Sequence, residues 1–335
     1  MRVARLYGVG DIRVIEEPRP EPVDGTSLVR VTSVGLCGSD LHWYSEGGIG
    51  DARLTRPLVV GHEFAGVIEG GARHGQRVAI DPAIHCGQCQ TCHDGYQNLC
   101  PNGRFAGHGR TDGGLREFLT WPSELLYPLP DNLSDADGAM LEPLGVGLHA
   151  MDLGHVRVGG SVAVIGCGPI GLMLVQLARI AGATQVLAVE PLPHRLLAAL
   201  SSGADEAVEP RAADEEYWRR HAGRGADVVF EVSGQDAALH MALNAVRPGG
   251  RVVLVGIPDE DRTSFTASLA RRKGVTIALV RRMNHVYPRT IDLVARKRVD
   301  VSSIVTDRYP LARVAEAFDA AVRRTGGKVV VELPG

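Results

Sequence analysis

The stretch CGSDLH, residues 37–42, concentrates side chains that can bind a metal ion or move a proton. Its four reactive residues are Cys37, Ser39, Asp40 and His42. The apolar run at residues 29–34 predicts a strand that delivers the chain to this stretch. A purely structural interpretation stays open, in which Cys37 is a small buried hydrophobe and Ser39 or Asp40 caps a helix.

A second stretch, GHEFAGVI at residues 61–68, places a histidine and a glutamate among apolar residues and glycine. A charged Glu63 is not expected to be buried there without a partner. Zinc would supply one, because thiolate, imidazole and carboxylate are its usual ligands and a catalytic site keeps one position open. The residues therefore predict a zinc site formed by Cys37, His62 and Glu63, with local pairing of His62 and Glu63 as the simpler alternative.

Four of the six cysteines crowd into one loop with the spacing C-x2-C-x2-C-x7-C: Cys86, Cys89, Cys92 and Cys100. Four thiolates so placed can close a tetrahedral zinc site with no open position, which is a structural role. In a reducing cytosol such crowding favours metal over disulfides. An iron-sulfur cluster and a nucleic-acid-binding zinc ribbon are alternatives, but the ferredoxin spacing is shorter and the loop lacks flanking basic and aromatic residues.

A nucleotide-binding pattern begins at Ser161. The apolar run 162–165 predicts a buried strand, GCGPIG follows it, 172–181 has helical composition, and 186–189 predicts a second strand. The glycines permit a tight turn, approach of a pyrophosphate and close helix packing. The helix N-terminus would then face the phosphates. The candidate contacts are Gly166, Gly168, Pro169, Ile170 and Gly171.

Glu190 ends the second predicted strand, at the spacing where an acid accepts hydrogen bonds from the adenosine ribose and repels a 2'-phosphate. This position favours NAD. His194 and Arg195 follow closely, and a cation there could receive a phosphate, so NADP is the less favoured alternative.

The composition excludes several classes of protein. The chain has 335 residues, 44% of them hydrophobic, which is enough for two substantial cores. A net charge of -3 offers no broad basic surface for nucleic acid, and no apolar run is long enough to span a membrane. No secretory signal is evident at the first residues, so a cytoplasmic location is expected.

Alternating patterns after residue 160 predict an α/β fold built on a doubly wound parallel sheet. Residues 205–222 are acidic and then basic, and predict a solvated helix, while 285–295 predicts another helix. The first 30 residues predict β structure interrupted by prolines. The final segments, 304–309, 311–322 and 328–333, would return the chain to its first domain.

In order and separation, the CGSDLH, GHE, cysteine-loop and GCGPIG motifs resemble the zinc-dependent medium-chain dehydrogenases over essentially the whole chain. The resemblance is closest to the sorbitol (L-iditol, xylitol) dehydrogenase branch, through CGSDLHWY, PLVVGHEFAGV and LPDNLSDADGAMLEPLGVGLHA. It implies a Rossmann domain at 145–285 and a β-rich GroES-like catalytic domain. The latter would comprise 1–144, with a structural zinc loop at 86–100, and a return at 286–335.

The resemblance also implies a reaction, in which a secondary hydroxyl is oxidised to a ketone and hydride passes to NAD. Two zinc ions per chain are implied, one catalytic and one structural. Glu142 would take a ligand position in turn or hold the zinc-bound water. Ser39 would accept the substrate proton, which passes through the nicotinamide ribose to His42, while Asp40 orients His62.

The same resemblance assigns substrate contacts to Trp43, Phe118 and Arg282. Two departures alter that pocket: Trp43 stands where the branch has tyrosine, and Met283 follows Arg282 where the branch has another tyrosine. A polyol, a cyclitol or a related small alcohol is therefore the expected substrate. Threonine or another amino-alcohol is the enzymatic alternative, and a non-catalytic nucleotide-binding homologue the alternative of a different class. Related enzymes form homodimers or homotetramers, and the same is expected here.

Overall fold

The computed structural model describes residues 1–258 and 261–334; the last residue of the predicted return segment, Gly335, lies outside these ranges. The strands are β1 (Arg2–Gly8), β2 (Asp11–Glu16), β3 (Thr26–Gly35), β4 (Gly48–Ile49), β5 (Ala52–Arg53), β6 (Glu63–Glu69), β7 (Arg77–Ile80), β8 (Ala83–Ile84), β9 (Arg104–Phe105), β10 (Phe118–Pro122), β11 (Leu126–Pro128), β12 (Ser161–Ile165), β13 (Gln185–Val189), β14 (Glu206–Val208), β15 (Ala226–Glu231), β16 (Val246–Leu254), β17 (Thr276–Leu279), β18 (Val305–Pro310) and β19 (Lys328–Glu332). The helices are α1 (Gly38–Glu46), α2 (Gln90–His93), α3 (Asp135–Gly154), α4 (Pro169–Ile180), α5 (Pro193–Ser201), α6 (Glu215–Ala222), α7 (Asp236–Ala245), α8 (Ala267–Lys273), α9 (Tyr287–Ala295) and α10 (Val314–Arg323). Short 3-10 turns occupy Gln97–Leu99, Ser123–Leu125, Pro210–Ala212, Ser302–Ile304 and Leu311–Arg313.

The chain forms two compact units. The first unit combines Met1–Pro143 with Asn284–Gly335, and the second unit is the continuous segment Leu144–Met283. These limits lie one and two residues from the predicted ends at 144 and 285. The first unit thus combines residues that precede and residues that follow the second unit.

The main sheet of the first unit has seven strands, in the order β11-β7-β6-β3-β19-β18, with β10 paired to the first half of β3. β3 is central: it pairs antiparallel with β6 along most of its length and with β19 at its end. Its valines are fully buried and belong to one apolar core with residues from both ends of the chain. A strand held on both sides is a rigid base for the residues that follow it.

The second unit contains six parallel strands in the order β14-β13-β12-β15-β16-β17. This is the strand order of a doubly wound dinucleotide-binding fold, with the topological switch beside β12. Strand β12 is buried along four of its five residues, as expected for a parallel sheet covered on both faces. The predicted fold class is confirmed.

The predicted solvated helix at 205–222 is wrong in its first half. Glu206–Val208 is a strand at the edge of the parallel sheet, and the helix begins only at Glu215. Its charged residues hide an apolar face, on which Tyr217 and Trp218 are buried. The indole of Trp218 also donates a hydrogen bond to the carbonyl of Ala213 at 3.0 Å. The charge pattern masked this contribution to the core.

The helix predicted at 285–295 is observed from Tyr287, with Pro288 in its first turn. No helix within residues 1–258 and 261–334 is long and apolar enough to cross a membrane.

Candidate metal centre and nucleotide site

Cys37 lies at the N-cap of α1, two residues after the end of β3. Its backbone N–H donates to Asp40 Oδ2 at 3.0 Å, which closes the first turn of the helix. Asp40 Oδ1 accepts a second hydrogen bond from the N–H of Gly61 at 3.0 Å. The fully buried Asp40 carboxylate therefore joins the two stretches that carry the candidate ligands.

Asp40 also holds the imidazole of His62, since Oδ1 lies 3.4 Å from His62 Nδ1. Burial opposes ionisation of both Asp40 and His62, but the opposite charge of each favours the ionised form of the other. The pKa of Asp40 is lowered by His62 and by the two backbone donors. Burial likewise acts to lower the pKa of His62, but Asp40 and Cys37 raise it well above its ordinary value. An acid that fixes one imidazole nitrogen leaves the other free to bind a metal.

Three predicted ligands come together in the first unit. One ligand atom each of Cys37, His62 and Glu63 lies within 4.8 Å of the others. Glu63 begins β6 opposite Gly35 of β3, and its side chain is fully buried. Thiolate, imidazole and carboxylate form a suitable donor set for catalytic zinc, which takes three protein ligands and keeps one position open.

Glu142 lies outside that three-residue group, but it is close enough for the charges of His62 and Glu63 to shift its pKa. It is buried in α3, immediately before Pro143. Burial raises the pKa of its carboxyl to about 8; His62 and Lys328 act to lower it, and Glu63 to raise it. A group with this pKa can change protonation near neutral pH, as a general acid or base requires.

Sequence reasoning missed Lys328 as a member of this cluster. Its ammonium is buried at the start of β19 and donates to Glu63 Oε1 at 2.6 Å, with Oε2 also in contact. The two residues are 265 positions apart, so no local pattern could pair them. A lysine opening an apolar strand that returns to the first domain was the single signal available.

Ser39 and His42 lie on α1 with the predicted ligand Cys37 at its N-cap. Ser39 Oγ is 3.4 Å from His62 Nε2, so it lies at the metal group. His42 Nδ1 is 2.9 Å from Oε1 of Glu46, which lies one turn further along the helix. The side chain of Glu46 is half exposed. Glu46 is a second residue that the sequence did not single out, although its i, i+4 spacing from His42 allows the contact.

The remaining predicted substrate residues differ in their surroundings. Trp43 is only 2% exposed and packs edge-on against His108, with ring centroids 5.5 Å apart. Phe118 begins β10, and the guanidinium of Arg19 lies 4.0 Å from its ring centroid. Arg282 belongs to the second unit and adopts a φ of 57°.

The loop cysteines form a compact cluster. The Sγ–Sγ distances are 3.5 Å for Cys89–Cys92 and for Cys86–Cys100, 3.9 Å for Cys89–Cys100 and 4.0 Å for Cys86–Cys92. Tetrahedral coordination at a Zn–S distance of about 2.3 Å requires sulfurs roughly 3.8 Å apart, so the cluster fits one zinc ion. All four are free thiols, and no histidine belongs to the cluster within the described residues.

Backbone contacts make the four thiols unequal. N–H groups of Gln88 and Cys89 lower the pKa of Cys86 to about 6, whereas burial raises the pKa of Cys92 to about 12. The backbone donors therefore favour the thiolate form of Cys86, which is the form that zinc binds.

The second unit carries the glycine motif between β12 and α4. Gly166 has a φ of 95°, a conformation that favours glycine, and Gly168 is the N-cap of α4 with Pro169 and Ile170 in the first turn. A side chain at Gly171 would overlap the carbonyl of Gly166. The motif therefore has the tight turn, the open helix N-terminus and the close packing of a pyrophosphate site.

Glu190 follows β13 and is 3% exposed. Its Oε2 accepts from the N–H of Cys167 at 2.8 Å, inside the glycine motif, and its Oε1 from Leu192 N–H at 3.0 Å. Both oxygens are thus oriented by the backbone, and each retains a lone pair for a ribose hydroxyl. Nη1 of Arg195, in α5, lies 3.6 Å from the position that a Cβ atom would occupy at Gly168.

Comparison with known proteins gives two matched domains. Residues 23–131 match the alcohol dehydrogenase GroES-like domain, and residues 169–296 match the zinc-binding dehydrogenase family. The sorbitol dehydrogenases of Bacillus subtilis (strain 168) and Homo sapiens are 33% and 35% identical, covering 96% and 98% of this chain and 94% of their own. A structure described as a zinc-binding dehydrogenase from Sinorhizobium meliloti 1021, bound to NADP, superposes with a TM-score of 0.90 at 31% identity, covering 99% of this chain and 98% of that chain.

A doubly wound parallel sheet in one unit and a cysteine, histidine and glutamate cluster in a β-rich unit define a class of zinc-dependent oxidoreductases. With the matches above, the chain belongs to the zinc-dependent medium-chain dehydrogenase family. The resemblance seen in the motifs is confirmed.

Proposed function

We propose that this protein oxidises a secondary hydroxyl of a polyol, a cyclitol or a related small alcohol to a ketone, with NAD as the hydride acceptor. The observation that carries the proposal is the convergence of Cys37, His62 and Glu63 within 4.8 Å in a chain that also has a complete dinucleotide motif. The full-length similarity to sorbitol dehydrogenases supports a polyol as the substrate class.

In this proposal Cys37, His62 and Glu63 hold a catalytic zinc ion, and the four loop cysteines hold a structural one. Catalytic zinc, when bound, acts as a Lewis acid that makes a substrate hydroxyl easier to deprotonate. Ser39 Oγ lies beside His62 and accepts the hydroxyl proton while its own hydroxyl proton moves on toward His42. His42 releases a proton to solvent and is oriented through Nδ1 by Glu46. Glu142, with its pKa of about 8, holds or yields a proton within the buried site.

NAD is the proposed cofactor because Glu190 presents two fixed carboxylate oxygens where the adenosine ribose is expected. When bound, the nicotinamide accepts the hydride that leaves the carbinol carbon. The relative bound to NADP makes this choice worth testing directly. Dissociation constants for NADH and NADPH should differ by at least about tenfold in favour of NADH. Equal affinities would show that Glu190 does not select the cofactor.

A reducing cytoplasm is the proposed location, because the site needs four free thiols in one loop. Purification under oxidising conditions should then release zinc and form disulfides between loop cysteines.

The reaction is tested by initial rates of NAD reduction with zinc-replete protein. The panel contains linear polyols, cyclitols, threonine and simple alcohols. Turnover is expected with polyols or cyclitols, and Cys37→Ala should abolish it while the fold, followed by circular dichroism, is retained. Preferred turnover of threonine would replace the proposed substrate class, and no turnover with bound zinc and NAD would support the non-catalytic alternative.

A further inference from the structure

The buried pair between Lys328 and Glu63 bridges three adjacent strands. Glu63 begins β6 and Lys328 begins β19, and β3 lies between these strands. The side chains are 0% and 4% exposed, respectively. A lysine and a glutamate on strands two apart in a sheet meet only if their side chains cross the strand between them.

Gly35 makes that crossing possible. It pairs with Glu63 on one side and with Val330 on the other, and Lys328 lies on the same face of β19 as Val330. A side chain at position 35 would overlap Glu63 Oε2 and approach Lys328 Cε to 3.1 Å. The glycine is therefore required for space, since it leaves a gap that the carboxylate and the ammonium fill.

The pair involves a carboxylate that also belongs to the metal group. Both oxygens of Glu63 contact the ammonium, one of them at 2.6 Å, while a ligand atom of the same residue lies within 4.8 Å of Cys37 and His62. Lys328 and a bound cation would compete for this carboxylate. They would also repel each other, and at a buried site salt screens such repulsion little.

We propose that Lys328, admitted over Gly35, is a positioning residue that draws Glu63 toward itself and so makes it a weak, exchangeable ligand of the catalytic zinc. The inference rests on the proposed zinc site. Cys37 and His62 then provide the firm attachment, and Glu63 can leave the metal without becoming an unpaired buried charge, which is strongly unfavourable in a protein interior. A site with one exchangeable ligand can admit a substrate oxygen at the vacated position.

The test measures zinc affinity by chelator competition on the full-length protein, at one fixed pH, with bound zinc counted by mass spectrometry. Zinc retained by wild type but lost by Cys37→Ala defines the catalytic site. Lys328→Met should bind this zinc about tenfold more tightly than wild type. The variant lacks the ammonium that competes for Glu63 and repels the zinc ion. Lys328→Arg, which keeps the positive charge, should bind zinc with the wild-type affinity.

Lys273→Met is the matched control. Its ammonium donates to the carbonyls of Leu243, Asn244 and Val246 at 2.8 Å each, so the variant also loses the hydrogen bonds of a lysine, but without a carboxylate partner. Zinc affinity should not change in this variant. If Lys273→Met changes the zinc affinity as much as Lys328→Met does, the effect comes from a general loss of stability. That result would overturn the proposal.

A double-mutant cycle with Glu63→Gln separates competition from simple repulsion. If Lys328 acts through Glu63, replacing Lys328 should tighten zinc binding much less in the Glu63→Gln background. Equal effects in both backgrounds would contradict the proposal. So would unchanged or weaker zinc binding in Lys328→Met, or failure of both Lys328→Met and Lys328→Gln to fold with zinc present, which would make the pair a folding requirement.

The same variants distinguish failure of the zinc site from failure of the role of Lys328. If Cys37→Ala keeps as much zinc as wild type, the proposed metal site is wrong and the role of Lys328 falls with it. If Cys37→Ala loses one zinc and Lys328→Met binds zinc as wild type does, the site stands and only the role of Lys328 is overturned.

Discussion

Asp40 organises the candidate metal site at the scale of single residues. Its two oxygens accept from the N–H groups of Cys37 and Gly61 and lie beside His62, so one buried carboxylate sets the position of two proposed ligands. The sequence placed Asp40 beside His62 only by resemblance. The backbone hydrogen bonds explain why an acid, and not an amide, belongs there.

Asp40→Asn should therefore weaken the catalytic site without removing a ligand. An asparagine has one carbonyl oxygen, so its NH2 group would face a backbone N–H donor. We expect zinc affinity to fall by about tenfold to a hundredfold, as is common when an imidazole loses its supporting carboxylate. Chelator competition measures this, and an unchanged affinity would remove Asp40 from its positioning role.

Glu142 leads to a prediction about pH. Its pKa of about 8 in the folded, metal-free protein exceeds the ordinary value of 4.5 that applies after unfolding. Between these values the folded state binds more protons, so this carboxyl makes the free energy of unfolding fall as pH rises, by at most about 1.4 kcal/mol per pH unit. The contribution is fully lost only above the folded pKa.

Glu142→Gln should remove that dependence. In zinc-stripped protein, the melting temperature of the variant relative to wild type should increase steadily as the pH is raised from the unfolded to the folded pKa of Glu142. A difference that stays constant with pH would show that the carboxyl is already ionised in the folded state.

Among the elements, the cysteine loop has little secondary structure of its own. It contains the four-residue helix α2 and one 3-10 turn, and Tyr96 and Leu99 are exposed. A zinc ion bound as proposed would therefore be the main source of order in this loop.

Cys89→Ala should release one zinc ion per chain and lower the melting temperature, because three thiolates cannot close the site. Cys167→Ala is the control for zinc content, since Cys167 is a buried cysteine outside the loop. Zinc content measured by mass spectrometry should fall only in the first variant. If Cys89→Ala retains its zinc, the loop is not a four-cysteine site.

The elements also show what a sequence can predict. Strand β12, helix α4 and the glycine motif follow from local patterns of apolar residues and glycine, and the structure confirms them. Local patterns failed where charge concealed burial, as in α6 with Tyr217 and Trp218. They also failed where a contact depended on sheet topology. Lys328 meets Glu63 only because β19 and β6 flank the same strand, and a period-two pattern carries no information about which strands become neighbours.

For the whole molecule, we propose that two chains pair through β17. This strand is the last in the order of the parallel sheet and is hydrogen-bonded to β16 on one side. Leu279 is 74% exposed there. Within the described residues the outer edge of β17 carries no further strand, and such an edge is a template for pairing with another chain.

Proline substitutions can test the pairing one edge at a time. The N–H of Val280 bonds to Leu254 of β16, so by the two-residue alternation the N–H of Ala278 faces β16 and that of Leu279 faces outward. Leu279→Pro should shift the protein toward monomer in light scattering while the monomer stays folded. Ala278→Pro should destabilise the sheet itself. A Leu279→Pro protein with the wild-type mass would exclude this edge as the interface.

The division of the first unit between both ends of the chain bears on how the protein is made. A ribosome releases the continuous segment 144–283 whole, so its parallel sheet can form while synthesis continues. The first unit has to wait, because β19 and Lys328 are synthesised after that segment. Until then the carboxylate of Glu63 has no lysine partner, and a nascent chain that captures zinc early would do so with a site that is not yet balanced in charge. The order of translation thus places completion of the proposed zinc site after synthesis of the second unit.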